Sequence, residues 1–286
     1  MNYGDSWFNK LNHIINYSQS FGDHDVTAMA GYEFQRYQYR TSNMTKLGLL
    51  DKTVSDLNNG TTPQSTTGYG DGYTAESFFS RVTYAYKNKY LLEVDFRADG
   101  SSKLAPGHKW GYFPSASAAW RISGEDFLKD SPVLSDLKLR VGWGQQGNQS
   151  GLGDYAWVQT YNTNYYDWTK DEYAEAVPTL GTKSNWKNES LTWETTTQTN
   201  VGVDASLWGG RLGLVFDAYY KYTRGMLMSV AIPNQPNLTR NEGEMSNWGL
   251  EFALNSVNVA KKDFEWSTDF NISMNRNRLE KLALRQ

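Results

Sequence analysis

From Tyr90 to Asp99 the chain alternates, with Tyr90, Leu92, Val94, Phe96 and Ala98 on one face and Glu93, Asp95, Arg97 and Asp99 on the other. A period of two with charge confined to one side marks a strand whose two faces meet unlike surroundings. The pattern returns at Phe264, Trp266, Thr268, Phe270, Ile272 and Met274, set against Glu265, Ser267, Asp269, Asn271, Ser273 and Asn275. Repeated along the chain, it predicts an all-β fold: the antiparallel wall of a transmembrane β-barrel, with about 10 to 12 long strands.

The strands pair as hairpins. The first runs from Trp7 to Ser18, turns within residues 20–25 and returns through Val26 to Lys46. Residues 47–72, rich in Gly, Thr, Asn and Asp, read as a long loop. Strands follow over Tyr73–Lys87 and Lys89–Lys103, then over Gly111–Ser123, with helical turns expected at Gly124–Asp130 and another strand at Leu137–Gln145. Residues 147–189 are aromatic and polar, with a hairpin expected near Tyr155–Trp168. Trp193–Leu207 turns at 208–211 into Leu212–Met228, and Trp248–Val259 turns at 261–263 into Phe264–Asn277. Tight turns thus fall at one end of the sheet and long loops at the other, the layout of outer-membrane barrels with short periplasmic turns and long extracellular loops.

Composition sharpens this picture. Only 39% of the 286 residues are hydrophobic, yet 15% are aromatic, with 19 Tyr, 11 Trp and 12 Phe. Tyr and Trp have an apolar body and a polar tip, and they gather where water meets lipid or where sugars and peptides are gripped. The net charge of -3, with basic residues scattered among acidic ones, offers no footprint for nucleic acid. The absence of cysteine removes thiolate chemistry and disulfides and suits passage through an oxidising periplasm.

No catalytic constellation stands out. Gly142-Trp143-Gly144-Gln145-Gln146-Gly147 spells G-x-G-x-x-G but follows a strand with no helix to hold a phosphate, so the glycines read as strand features. His13, His24 and His108 lie too far apart for a zinc set, and Asp23, Asp25, Asp71 and Asp99 lack calcium-loop spacing. No cofactor is expected, and the chain does not read as an enzyme.

An ordered series of short motifs carries a family resemblance: Arg81-Val82-Thr83-Tyr84 with Lys89-Tyr90-Leu91-Leu92, Arg97-Ala98-Asp99-Gly100-Ser101-Ser102, Trp110-Gly111-Tyr112-Phe113-Pro114-Ser115, Trp120-Arg121-Ile122-Ser123-Gly124-Glu125, Leu137-Lys138-Leu139-Arg140, Gly147-Asn148, Trp193-Glu194, and Asn247-Trp248-Gly249-Leu250-Glu251. Together they resemble the SusC/RagA family of TonB-dependent outer-membrane transporters. Leu104 replaces an aromatic usual after Asp-Gly-Ser-Ser, and Gln146 stands where Thr is usual before Gly-Asn. The resemblance implies that residues 1–286 form a barrel segment from the C-terminal half of the barrel region. Signal peptide, plug and barrel-closing strands would lie elsewhere, in a wall of about 22 strands.

It further implies import of oligosaccharides or peptides across the outer membrane of a Gram-negative cell, with a SusD-like surface lipoprotein and with the TonB complex acting through the plug. A soluble or surface-attached carbohydrate-binding β-domain is the alternative. Under the barrel reading, Glu93, Asp95, Arg97, Lys138, Arg140, Glu194, Gln198, Asn200, Asp204, Glu251 and Asn255 face the lumen. Aromatic contacts for a ligand are expected at Tyr155, Trp157, Tyr161, Tyr165, Tyr166 and Trp168, with Tyr173 and Trp186 in the same stretch.

Overall fold

The computed structural model describes residues 2–54, 56–166, 177–234 and 237–282. Its strands are β1 (Asn2–Phe21), β2 (His24–Leu49), β3 (Gly60–Tyr86), β4 (Tyr90–Ser101), β5 (Trp110–Arg121), β6 (Leu134–Asn148), β7 (Thr160–Tyr166), β8 (Val177–Asn185), β9 (Glu194–Leu207), β10 (Leu212–Arg224), β11 (Leu227–Val230), β12 (Leu238–Asn241), β13 (Glu244–Lys261) and β14 (Phe264–Lys281). Ten of them form one antiparallel sheet in the order β1-β2-β3-β4-β5-β6-β9-β10-β13-β14, so chain neighbours are spatial neighbours throughout. The pairs β7-β8 and β11-β12 are separate hairpins inserted in two of the long connections.

The expected parity holds across all ten strands. At one end, β1 meets β2 through Gly22-Asp23, with Gly22 at φ 60 where a two-residue hairpin needs a left-handed residue. At the same end β3 meets β4 through 87–89, β9 meets β10 through 208–211, and β13 meets β14 through 262–263, while β5 meets β6 there through the longer connection 122–133. The opposite end carries the connections 50–59, 102–109, 149–193 and 225–243.

One expectation is corrected and one is made more specific. Residues 60–72 are strand, not loop: Gly60–Gly72 pair with β2 out to Leu49, and the connection shrinks to 50–59. Pairing with β2 fixes this Gly- and Thr-rich run as strand despite its weak intrinsic preference. The helical turns expected at 124–130 are present as turns: after a 3-10 turn at Ile122–Gly124, Leu128 N and Lys129 N both donate to Glu125 O at 3.0 Å, and no longer helix follows.

Register puts the charged positions of the central strands on one face. Arg81 lies opposite Asp95, Asp95 opposite Ser115, Lys138 opposite Asp204 and Asp217 opposite Glu251. The opposite face bears exposed Val82, Leu92, Val94, Phe96, Val141, Val201, Phe216, Phe270 and Ile272. Two aromatic girdles bound this apolar band. Near the short turns, His24, Tyr86, Tyr90 and Trp120 stack in sequence across β2 to β5 at centroid distances of 4.8, 6.2 and 6.4 Å. Near the long loops, Tyr32 meets Phe78 at 5.1 Å and Phe78 meets Trp110 at 6.0 Å. From Tyr112 or Trp110 to Trp120 on β5 is about 26 to 33 Å along the strand, or about 25 Å after tilt, the height of a membrane-crossing apolar band.

Below the lower girdle, Glu125 accepts hydrogen bonds from Tyr90 Oη at 2.6 Å, Trp120 Nε1 at 3.1 Å and Lys89 Nζ at 3.2 Å. The Tyr90 hydroxyl foremost, then Trp120 and Lys89, hold its carboxyl below the usual glutamate range.

Val94 lies midway between the girdles. In the full-length protein Val94→Arg should cost about 2 to 4 kcal/mol by denaturant titration in bilayers, while Glu93→Arg on the other face should be mild. Equal tolerance at both positions would remove the lipid-facing assignment. Because the folded Glu125 carboxyl is depressed, its contribution is complete above the ordinary glutamate pKa and is lost as pH falls through the lower folded value. Amide exchange in residues 122–133 should therefore accelerate on acidification below about pH 4, and Glu125→Gln should flatten that response.

Candidate functional site

The inward face is a continuous polar wall whose charges neutralise one another. Arg81 Nε sits 2.6 Å from Asp95 and 3.9 Å from Glu93, and Ser115 Oγ donates to Asp95 at 3.2 Å. Arg97 holds Asp99 at 2.8 Å and reaches Ser77 Oγ at 3.1 Å. The largest network crosses three strands: Arg140 binds Asp204 through Nε at 2.9 Å and Nη2 at 2.8 Å, touches Asp217 at 3.1 Å, and shares Asp204 with Lys138 at 3.1 Å. Gly202 makes the reach to Asp217 possible, since a Cβ there would lie 2.3 Å from Asp217 Oδ1 and 2.7 Å from Arg140 Nη2.

Of the residues expected at the lumen, the structure thus gathers Glu93 and Asp95 around Arg81, and Lys138, Arg140 and Asp204 around one another. Glu194 has left the open wall, accepting from Asn148 Nδ2 at 3.0 Å and the Leu227 backbone N–H at 3.0 Å. Asn255 donates to Asp269 at 2.5 Å. Glu251 makes no hydrogen bond or ion pair among the described residues.

Above this wall lies a cavity of about 570 Å³, lined by Glu33, Gln35, Asp95, Arg97, Gln146 and Trp193 among others. It mixes amides, carboxylates, one guanidinium and an aromatic edge, Trp193 meeting Phe113 edge-on at 5.5 Å. Such donors and acceptors suit a hydrated polar ligand, and the aromatic edge gives it a surface to rest on. The G-x-G-x-x-G run borders this region: a Cβ at Gly144 would come 2.8 Å from Ser115, and one at Gly147 would meet the Phe113 ring at 2.1 Å. These glycines make room for lumen side chains.

What roofs the cavity left no periodic signal in the chain. Leu104, Ala105, Leu152 and Leu191, drawn from two different loops, form a buried cluster against which Ala156, Trp157, Trp193 and Leu227 pack. Leu104 and Leu191 are 0% exposed, so the departure from an aromatic at 104 places a leucine in a small closed core. Polar ties reinforce it: Lys103 pairs with Asp154 at 2.9 Å, Ala105 N donates to Leu191 O at 3.2 Å, Trp193 Nε1 to Lys109 O at 3.0 Å, and Thr192 N to Asn241 Oδ1 at 2.8 Å. The connection 102–109, residues 149–158 and 186–193, and Leu227 and Asn241 of the third connection are clasped into one body.

This clasp places the aromatic candidates. Trp157 packs on the clasp core and donates to Ser102 O at 3.4 Å. Tyr155 and Tyr161 are 53% and 44% exposed. Tyr155 borders a second inward cavity of about 510 Å³, together with Tyr37, Tyr39, Asp71 and Tyr73. Trp186 carries Lys183 Nζ 4.0 Å over its ring. Tyr165 and Tyr166 lie in β7, while Trp168 and Tyr173 fall outside the described residues.

Leu191→Ala should open the clasp locally by about 2 to 5 kcal/mol. Hydrogen exchange should then rise together in 102–109, 149–158 and 186–193, with β4 and β9 unchanged; a rise confined to one loop would refute the single body.

Residues 1–279 match the family model of the TonB-dependent receptor-like β-barrel. The chain is 36% identical over 280 residues to the TonB-dependent receptor SusC of Bacteroides thetaiotaomicron, and 33% identical over 273 residues to the TonB-dependent receptor P3 of Formosa agariphila. These alignments take in 95% and 94% of this chain but only 27% of each relative. The chain therefore spans about a quarter of the length of the curated relatives it matches. A solved structure of the RagAB peptide transporter superposes with a TM-score of 0.87 at 26% identity, over 98% of this chain and 31% of that one. With the membrane-height apolar band outside, the polar wall inside and these relatives alongside, the chain belongs to the TonB-dependent receptor-like β-barrel family and is an outer-membrane wall of the SusC/RagA type.

Proposed function

We propose that this wall belongs to an importer that carries oligosaccharides, or peptides of similar bulk, through the outer membrane. A plug domain would occupy the lumen and receive force from TonB, a SusD-like surface lipoprotein would cover the extracellular mouth, and strands outside this chain would close the barrel. The observation that carries the reading is the 36% identity to SusC across 95% of the chain. Amide and carboxylate groups of Gln35, Gln146 and Asp95 around the 570 Å³ cavity suit a hydroxyl-rich cargo, with Trp193 as a stacking edge. Tyr155 and Tyr161 keep the role of ligand contacts, whereas Trp157 serves packing. A soluble carbohydrate-binding domain would need a wet outer surface, and the band of Val82, Leu92, Val94 and Phe96 argues for the wall instead.

In the whole transporter, Gln35→Ala combined with Gln146→Ala should raise the half-saturating concentration for labelled oligosaccharide uptake about tenfold, the loss expected from roughly 1.4 kcal/mol of hydrogen bonding. Uptake of oligosaccharides and peptides that survives deletion of the gene would overturn the import reading. An unaltered concentration dependence in the double variant would instead move the cargo away from this cavity.

A further inference from the structure

Beyond Glu33 and Gln35, the lumen face of β2 continues with Tyr37 and Tyr39, and β3 answers with Tyr73 opposite Tyr37 and Asp71 opposite Tyr39. These residues wall the second inward cavity, of about 510 Å³, and the clasp closes it from the other side with Asp154 and Tyr155. Successive residues on one face of a strand lie about 7 Å apart. Gln35 and Ala75 border the 570 Å³ cavity and Tyr37 and Tyr73 the upper one, so the two follow one another up the same pair of strands.

The upper cavity offers a different surface. Its sheet side is paved with tyrosine: Tyr37 and Tyr73 are tilted at 36° with centroids 5.8 Å apart, and Tyr39 meets Tyr69 edge-on at 6.1 Å. Lys103 Nζ stands 4.4 Å over the Tyr73 ring and pairs with Asp154 at 2.9 Å, which ties that ring to the clasp carboxylate. Tyr37, Tyr39 and Tyr155 carry no such cap, and their hydroxyls make no hydrogen bond among the described residues. Asp71 accepts the Gly72 N–H at 2.8 Å, and burial foremost, with the Asp154 carboxylate beside it, raises its pKa.

Uncapped rings beside free hydroxyls and two converging carboxylates suit a cargo with apolar C–H faces and a rim of hydroxyls, and a sugar ring has both. Its hydroxyls can donate to the carboxylates and accept from the tyrosines. Charges of both signs border the cavity, Asp71 and Asp154 against Arg36, Arg40 and Lys109, so a charged cargo meets no one-sided field. β2 is hydrogen-bonded to β1 on one side and to β3 on the other, so the backbone beneath Tyr37 and Tyr39 has nothing left for an extended peptide.

We infer that Tyr37, Tyr39 and Tyr155, with Asp71 and Asp154 as acceptors, form a second oligosaccharide subsite that holds a sugar between sheet and clasp, in series with the 570 Å³ cavity. This subsite rests on the import reading and deepens it: a chain long enough to fill both cavities binds more tightly than one that fills the lower alone.

The test titrates the full-length transporter in mild detergent with linear neutral gluco-, xylo- and fructo-oligosaccharides, from disaccharides to octasaccharides, by isothermal calorimetry. Tyr37→Ala with Tyr155→Ala should weaken the octasaccharide that binds best about tenfold and leave its disaccharide, held by the lower cavity, unchanged. Tyr37→Phe with Tyr155→Phe, which keeps the rings, should retain most of the affinity. Octasaccharide binding as tight in the alanine pair as in the wild type overturns the subsite and leaves import standing, whereas a wild type that binds none of these sugars overturns the subsite together with oligosaccharide import. Tighter binding of neutral octapeptides than of any sugar, lost in the same variant, would assign the rings to a peptide and overturn the sugar as occupant. Should the alanine pair fail to assemble, Tyr155→Ala alone, on an exposed side chain of the clasp, decides in the same way.

Discussion

A peptide group left without a hydrogen-bond partner in hydrocarbon costs several kcal/mol, and this constraint organises the chain. It makes each of the ten strands of the main sheet bond to the next one in that sheet, from β1 through β6, β9 and β10 to β13 and β14. Once strands are paired in that ladder, pleating sorts side chains strictly by parity. A slip of one residue between β4 and its neighbours would send Val94 and Phe96 into the lumen and Asp95 and Arg97 into lipid, so burial fixes the register as firmly as any turn.

The inward charges act within that register more than they stabilise it. Arg140, Asp204 and Asp217 remain 30%, 29% and 26% exposed, so solvent screens them and each contact is worth about 1 kcal/mol or less. Their effect is on specificity: one guanidinium reaches a carboxylate on each of two neighbouring strands, which ties β6, β9 and β10 in a single alignment. The neutralised wall also leaves the 570 Å³ cavity with amides and hydroxyls as its working groups, besides Arg97 and its acidic neighbours.

The parts of this architecture that were legible in the sequence are those governed by local periodicity. The alternation at 90–99 and 264–275 identified faces and strands, and the parity of turns located both ends of the wall. The run 60–72 misled because its outward positions are Gly68, Gly70 and Gly72, which carry no apolar signal, and it is strand through its partner β2. Leu104, Leu152 and Leu191 were invisible for a related reason: each is a single leucine in a polar loop, and only the fold brings them together. Arg140 was expected in the lumen, but its partners lie 64 and 77 residues away, and Asp217 was not singled out. Trp157 shows the limit of composition, since a tryptophan in an aromatic loop reads the same whether it grips a ligand or closes a core.

The two ends of the wall are held by different physics, and this shapes how a cargo could pass. At the periplasmic end four of the five hairpins close through two to four residues, β5 and β6 being joined by 122–133, and stacked rings from His24 to Trp120 brace them from outside. That order is local and forms with the hairpins themselves. At the extracellular end, three loops far apart in sequence depend on one small core, so their order is non-local and cooperative. Separating any one of them exposes Leu104 or Leu191 and breaks the Lys103–Asp154 pair together with the Thr192 and Asn241 bonds. Opening the clasp would thus cost several kcal/mol, whereas moving it as a body costs only its hinges. A molecule entering the lumen on this side therefore passes beside the clasp, along the cavity that it roofs, and the cavity's lining is the surface that any selective contact must use.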